Sequence, residues 1–362
     1  MDFAIKNIVI ATVIFGTILV IIFENRNPVK TIAWCMVLTF MPVIGLLLYI
    51  LFGMDNRHRR QIKDEDLSRL KGITEITQSD DILSEMPVPQ KPLADMLRKM
   101  NKSFLLSGND VEIITDFQTM SDRLIADIEG ARHHINMLFF KFEDDAAGRR
   151  IADALIRKSE EGVLVRLIYD DAGNLMVPRR FYRKLRKHGI QVRGFIRIFL
   201  PILSRDYNSR NHRKVVVIDG RVGYMGGMNI AQRYAEGLKW GIWRDTHMRI
   251  TGPAVSELQT SFLTDWKFTK GDEPDLDSMY PCNPPSGNTL MQIVTGGPMD
   301  KWNAMMQAYM TAIVSARSYA YLQSPYFIPP EPIMKVLQNA ALSGVDVRVM
   351  IPYRGDKGVL PP

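Results

Sequence analysis

Asn211-His212-Arg213-Lys214-Val215-Val216-Val217-Ile218-Asp219-Gly220, followed at once by Arg221-Val222-Gly223-Tyr224-Met225-Gly226-Gly227-Met228-Asn229, is the stretch from which the rest of the chain is read. His212 and Lys214 stand two residues apart, so in an extended strand both leave on one face. Val215 to Ile218 are β-branched, as in a buried strand that makes a rigid base, and the strand ends at an Asp-Gly turn. An unperturbed imidazole is largely neutral near pH 7 and can attack phosphorus. A fixed ammonium beside it answers the charge on the non-bridging phosphate oxygens. Gly226 and Gly227 allow close backbone approach to an anion, and the Asn229 amide adds a neutral donor. These residue types in this order describe a site for a phosphodiester.

Outward from the motif the rhythm is that of an α/β domain. Val111–Ile114 reads as a strand, Asp116–Glu129 as an amphipathic helix, Ile135–Phe142 as a strand, Ala147–Glu160 as a helix closed by Gly162, and Val163–Tyr169 as a strand ending in Asp170-Asp171-Ala172-Gly173. Asp170 and Asp171 fit a strand-end turn better than a metal site. Arg179 to Lys187 reads as a helix with a cationic face, turned either to solvent or to anionic headgroups. An apolar stretch, Phe195–Leu203, and a polar loop, Tyr207–Arg210, lead into the motif. Part of this pattern recurs. Ala131-Arg132-His133-His134-Ile135 and Gly162-Val163-Leu164-Val165-Arg166 have counterparts in Ala316-Arg317-Ser318-Tyr319-Ala320 and Gly344-Val345-Asp346-Val347-Arg348, at an offset of 182 between the two glycines.

The first fifty-odd residues differ in kind. Ile8–Phe23 and Thr31–Phe52 are free of charge, and Glu24 to Lys30 is a polar turn between them. With Lys6 reaching for the interface, the first run approaches the roughly 20 residues that cross a bilayer, and the pair reads as a transmembrane helical hairpin. Arg57, Arg59, Arg60 and Lys63 follow the second run and place the remaining chain on the cytoplasmic side. The polar stretch after them, with Pro87, Pro89 and Pro92, reads as a short helical linker and then an irregular connection. A net charge of +7 favours an acidic partner without choosing among nucleic acid, anionic lipid and solvent. Two distant cysteines, Cys35 and Cys282, exclude a disulfide framework and a metal cluster.

His212-x-Lys214-x4-Asp219 followed by Gly226-Gly227-x-Asn229 resembles the catalytic motif of the phospholipase D superfamily. Trp243-Arg244-Asp245-Thr246-His247-Met248-Arg249-Ile250-Thr251-Gly252-Pro253-Ala254-Val255 and the N-terminal runs are similar to the corresponding parts of the bacterial cardiolipin synthase family. The resemblance implies an α/β fold of mixed sheet flanked by helices, divided into a transmembrane helical hairpin at 1–56, a juxtamembrane linker at 57–107, a first repeat at 108–290 and the start of a second, incomplete repeat at 291–362. It implies a phosphatidyltransferase of the bacterial inner membrane that condenses two phosphatidylglycerol molecules to cardiolipin and glycerol, with no metal or other cofactor. His212 would be the nucleophile and Lys214 the phosphate holder. Asp219 belongs to the same catalytic motif, with a larger share in fixing the loop after the strand. Asn229, Gly226 and Gly227 would bind substrate, and Asp245 would orient the catalytic imidazole unless it pairs with Arg244 or Arg249. Anionic lipids rather than nucleic acid are the expected partners, because a nuclease has no need of the hairpin. A second counterpart of His212 would fall near position 394, past Pro362. The site is therefore expected to need a longer chain or a homodimer, and this chain alone to be impaired. A phospholipase D-type hydrolase, a nuclease and an inactive lipid-binding remnant are the alternatives.

Overall fold

The computed structural model describes residues 2–23, 28–53, 70, 90–196, 210–239, 241–297 and 302–353. They fall in two units, Met1–Gln61 with Ile196–Arg210, and Ile62–Phe195 with Asn211–Pro362. The basic cluster Arg57, Arg59, Arg60 and Lys63, the prolines Pro87 and Pro89, and the loop Tyr207–Ser209 lie outside the described residues.

In the first unit the apolar runs form helices α1 (Asp2–Phe23), α2 (Pro28–Phe40) and α3 (Pro42–Leu48), with a π-helical turn at Tyr49–Gly53. Ile21, Leu38 and Tyr49 make a small core, and Trp34 meets Tyr49 edge to face at 5.4 Å between ring centroids. The expected pair of spans is corrected here: among the described residues no helix is long and apolar enough to cross a membrane. Pro42 cannot continue α2, so the second run is split into helices of 13 and 7 residues. Thirteen residues of helix reach only about 20 Å, and the charge-free part of α1 only about 24 Å.

The second unit is built on an eight-stranded mixed sheet in the order β4-β3-β2-β5-β6-β7-β1-β8. Its strands are β1 (Leu105–Ile114), β2 (His134–Phe139), β3 (Leu164–Tyr169), β4 (Gln191–Gly194), β5 (Val215–Ile218), β6 (Val222–Gly226), β7 (His247–Thr251) and β8 (Thr289–Gln292). β2, β3 and β4 are parallel and the other pairings antiparallel. A helix α4 (Lys91–Asn101) precedes β1, in place of the expected irregular connection; Pro92 sits in its first turn, where no amide hydrogen is missed. β1 starts six residues before the predicted strand. A register shift between Leu106 and Asn109, with Gly108 at φ +79°, breaks the alternation that sequence pattern relies on.

Alternation sorts the strands' side chains into two layers. Met137, Phe139, Val165, Leu167, Val216 and Ile218 face helices α5 (Phe117–Gly130), α6 (Ala146–Glu160) and α7 (Arg179–Lys187). Leu138, Ile168, Val215 and Val217 face the opposite way, toward the side covered by a later helix. Short-range capping sets the helix starts: Asp116 accepts from Thr119 N at 2.8 Å and Asp145 from Gly148 N at 2.9 Å. After β6 come α8 (Gln232–Glu236), the covering helix α9 (Val255–Phe268) and the short α10 (Leu276–Met279). Phe262 and Trp266 of α9 are buried against the second face.

The internal repeat is present at the level of single bonds. Helix α11 (Ala304–Ser315), β9 (Tyr319–Gln323), α12 (Glu331–Leu342) and β10 (Asp346–Met350) repeat the sequence α5, β2, α6, β3, and β9 and β10 pair in parallel as β2 and β3 do. Gly162 and Gly344 share the left-handed backbone, φ +93° and +89°, that closes the helix. Val163 N donates to Lys158 O, and Val345 N to Ala340 O, each at 3.0 Å.

Asp219 sits at the far end of β5 from the imidazole. At φ +52° its carboxylate accepts from the backbone N–H groups of Arg132, His133 and His134, each at 2.8 Å, and so ties the β5–β6 turn to the entry of β2. Asp219→Ala leaves three donors without their acceptor. It is expected to lower the unfolding free energy by about 2–3 kcal/mol, read as a shift of the denaturant midpoint, with Asp219→Asn intermediate.

Candidate active site

Parallel and antiparallel pairing bring the C-terminal ends of β2, β3 and β6 to the same end of the sheet as the N-terminal ends of β5 and β7. The motif enters there. Arg213 turns to the α9 side and grips both carboxylate oxygens of Asp265, at 2.6 and 2.7 Å. Its neighbours therefore leave on the opposite side: His212 and Lys214 both lie against Phe140, the imidazole at 4.7 Å between ring centroids and Lys214 Nζ at 5.5 Å from the ring centroid. Lys214 Nζ also donates to the carbonyl of His212 at 2.6 Å, which locks the spacing of the two groups.

The entry to the motif is held by a residue whose reading as a turn former understated it. Asp170, buried at the end of β3, accepts from Asn211 N at 3.0 Å through one oxygen and from Ala172 N and Gly173 N at 2.9 and 3.2 Å through the other. It fixes the residue before His212 and lends negative charge to Lys214. Asn211 in turn accepts from Arg213 N at 3.0 Å. An aspartate closing a strand was visible in the sequence; its partner 41 residues on was not.

Lys214 is almost fully buried. Burial pushes its ammonium down to about 7, against the Asp245 and Asp170 carboxylates that favour the charged form. His212 keeps part of its ring open to solvent. Crowding by protein and the Lys214 charge nonetheless hold it down at about 4, so it is a neutral nucleophile through the physiological range. Asp245 is half-buried and accepts from Thr246 N at 2.7 Å. Burial pushes its carboxyl up from the usual range, opposed by that bond and by Lys214 and Arg244. The ordinary salt bridge considered for it does not form with Arg249, which is bound instead to Asp127 at 2.7 and 2.9 Å.

The two glycines make room for protein. A Cβ on Gly227 would stand 2.1 Å from Asp245 Oδ1, and one on Gly226 would stand 2.5 Å from His247 Cα and 2.7 Å from His247 Nδ1. Their small size lets the Asp245–His247 segment close over β6. Asn229 is buried, its Oδ1 accepting from Lys141 N at 3.1 Å and its Nδ2 donating to Tyr234 at 2.7 Å, with its second amide hydrogen uncommitted among the described residues. Asp219 is not brought to this cluster.

His247 was missed by sequence reasoning. Val215 pairs with Met225 and Gly226 with His247, so Lys214, Gly226 and His247 fall in one row across the sheet, and the glycine leaves nothing between the two side chains. His247 is fully buried with neither ring nitrogen hydrogen-bonded, and burial followed by the Lys214 charge holds it down at about 3. Its position two residues after Asp245 was the available signal.

Residues 124–266 match the family described as cardiolipin synthase, PLD-like domain, and residues 12–53 match the phospholipase D-nuclease N-terminal family. The chain is 38% identical to the cardiolipin synthase of Listeria monocytogenes serotype 4a strain HCC23, over 96% of its own length and 74% of that protein. It is 37% identical to the major cardiolipin synthase ClsA of Bacillus subtilis strain 168, over 98% and 74%. In fold it is similar to the crystal structure of phosphatidylserine synthase from Haemophilus influenzae Rd KW20, with a TM-score of 0.52, 15% identity, and coverage of 73% of this chain and 66% of that one.

Both imidazoles bind protons less readily folded than unfolded, so their contribution to stability falls as the pH drops from about 6.5 through the lowered folded values. The expected NMR result is that the ring signals of His212 and His247, assigned with His212→Gln and His247→Gln, keep neutral-imidazole positions across about pH 5 to 8, with only the small step that the titration of Lys214 near pH 7 imparts. The His212 ring moves as the pH falls through about 4.

Proposed function

Since the chain belongs to the cardiolipin synthase family, we propose that His212 attacks the phosphorus of one phosphatidylglycerol to give a phosphatidyl-histidine and release glycerol, and that a hydroxyl of a second phosphatidylglycerol then takes the phosphatidyl group. In the first step the His212–phosphorus bond forms, the phosphorus–glycerol oxygen bond breaks and the glycerol oxygen takes a proton from a general acid that the shared site of two copies would supply; in the second the accepting hydroxyl gives its proton to that same group as its oxygen bonds phosphorus and the His212–phosphorus bond breaks. The observation that carries the reading is the pairing of a neutral imidazole with a buried ammonium against one wall, Phe140. Lys214 answers the charge on the non-bridging oxygens in a place with little competing water, where such an interaction is worth most. Asn229 offers its remaining hydrogen to the same oxygens, and Asp245 lies close enough in the field of Lys214 to hold the cationic centre in place.

As a member of this family the chain is a membrane-associated bacterial enzyme. The first unit supports a closer association than the fold alone establishes. Phe15, Phe23, Phe40 and Leu47 are 64%, 82%, 77% and 57% exposed around a core of a few residues, an apolar exterior that water does not favour. We propose that α1 and the broken pair α2–α3 hold the chain in the inner membrane with the second unit on the cytoplasmic side. A shared site between two copies is part of the same proposal.

The test is turnover in phosphatidylglycerol vesicles with cardiolipin, glycerol and phosphatidic acid all measured. Cardiolipin with matching glycerol is expected; phosphatidic acid in its place would make water the acceptor and the enzyme a hydrolase. His212→Ala is expected to lower turnover by about 10³-fold or more, and Lys214→Gln by about 10²–10³-fold, both without loss of folding. Because His212 must be neutral and Lys214 charged, kcat/KM is expected to rise through about pH 4 and to fall through about pH 7.

A further inference from the structure

Between Asn174 and Val177 the backbone closes a four-residue turn, with Val177 N donating to Asn174 O at 2.9 Å. The middle of such a turn is ordinarily given to Gly, Asn, Asp or Ser. Here it is Leu175 and Met176, 50% and 95% exposed. The base of the turn is firmly held. The buried Asn174 donates to Phe140 O and Asp170 O at 2.8 and 2.7 Å and accepts from Phe142 N at 2.8 Å, while Val177 packs against the core. Two apolar side chains are thus presented outward on a fixed support.

Their neighbours are cationic. Helix α7 starts at Arg179 and buries Phe181, Tyr182 and Leu185, which turns Arg179, Arg180 and Arg183 outward. None of these three arginines has an ion pair among the described residues, whereas Lys184 on the same helix meets Asp153. The turn also belongs to the site end of the sheet, because Asp170 at its root is the residue that holds Asn211 beside His212. Ile242, 91% exposed and three residues before Asp245, stands at that same end. Apolar tips bordered by unpaired arginines match the layering of a phospholipid interface, with acyl chains below and phosphates above.

We propose that the Leu175–Met176 turn and the opening of α7 dock the catalytic end of the second unit onto an anionic phospholipid surface, the turn at the acyl boundary and the three arginines on headgroup phosphates. The inference rests on the reading of the site as one that acts on lipid. It adds how His212 reaches a phosphodiester without drawing the lipid out of the bilayer: the docked turn sets the depth of the site at headgroup level.

The experiment uses the full chain with Cys35→Ser and Cys282→Ser, carrying Met176→Cys or, at the opposite end of the sheet, Arg221→Cys, each labelled with an environment-sensitive fluorophore and reconstituted in phosphatidylglycerol vesicles. Expected are a blue shift and loss of emission at position 176 with nitroxide-labelled acyl chains, neither of them at position 221, and weakening of both in vesicles of a zwitterionic lipid alone. Emission at 176 that is quenched by aqueous iodide and indifferent to the nitroxide lipid overturns the proposal. Protection from both quenchers also overturns it, and assigns the turn to a second protein surface. The measurement does not depend on turnover, so it stands or falls apart from the activity. In the same series Leu175→Ser with Met176→Ser is expected to lose transfer on vesicles and to keep it on monomeric short-chain phosphatidylglycerol; equal loss on both substrates contradicts docking.

Discussion

A lysine ammonium held almost without water at the end of a buried strand is the constraint on which the site depends. Lys214 can stay there only because its surroundings are arranged around its charge: the His212 carbonyl accepts from it, Phe140 offers a ring face, and two carboxylates, Asp170 and Asp245, supply opposite charge. The glycines follow from the same need. Side chains at Gly226 and Gly227 would push away the segment that carries Asp245 and His247. The arrangement favours an incoming phosphate, whose charge restores to the ammonium what burial removed.

Much of this was legible in the sequence where the signal was local. The spacing of His212 and Lys214 put both on one face, and the intervening Arg213 confirms it by reaching Asp265 on the other. The helices α5 and α6 were read to within one residue because each begins with an aspartate cap and carries an apolar stripe. What escaped were pairings across long separations. Asp170 holding Asn211, and Asp219 holding residues 132–134, join segments 41 and more than 80 residues apart that no periodicity links. The closeness of Asp245 and His247 to Gly226 and Gly227 is hidden for the same reason. Sequence shows that a glycine allows close approach; only the neighbouring strand shows what approaches. The second apolar run was read as continuous because its charge pattern is unbroken, while Pro42 divides its backbone.

The repeat offers a physical view of how one scaffold is used twice. In both copies a left-handed glycine ends a helix and a backbone bond returns the chain to the sheet, so the parallel strand pair is specified by a few residues at the turn. In the first copy that pair is extended by β5, whose N-terminal end presents the imidazole. The strand ends, rather than the strand interiors, carry the chemistry, and backbone N–H groups from distant segments seat two of its supports: Asn211 N on Asp170 and Lys141 N on Asn229.

Covalent bonding of His212 to phosphorus is the step on which the proposed mechanism turns. The direct measurement is mass spectrometry of the peptide containing His212 after the enzyme has been mixed with phosphatidylglycerol and quenched in base, where a phosphorus–nitrogen bond survives. A phosphatidyl adduct on the His212 ring is expected that is absent from His212→Ala and is lost when excess glycerol, which returns the phosphatidyl group to phosphatidylglycerol, is added. Retained turnover by His212→Ala, or an adduct on another residue, would contradict it.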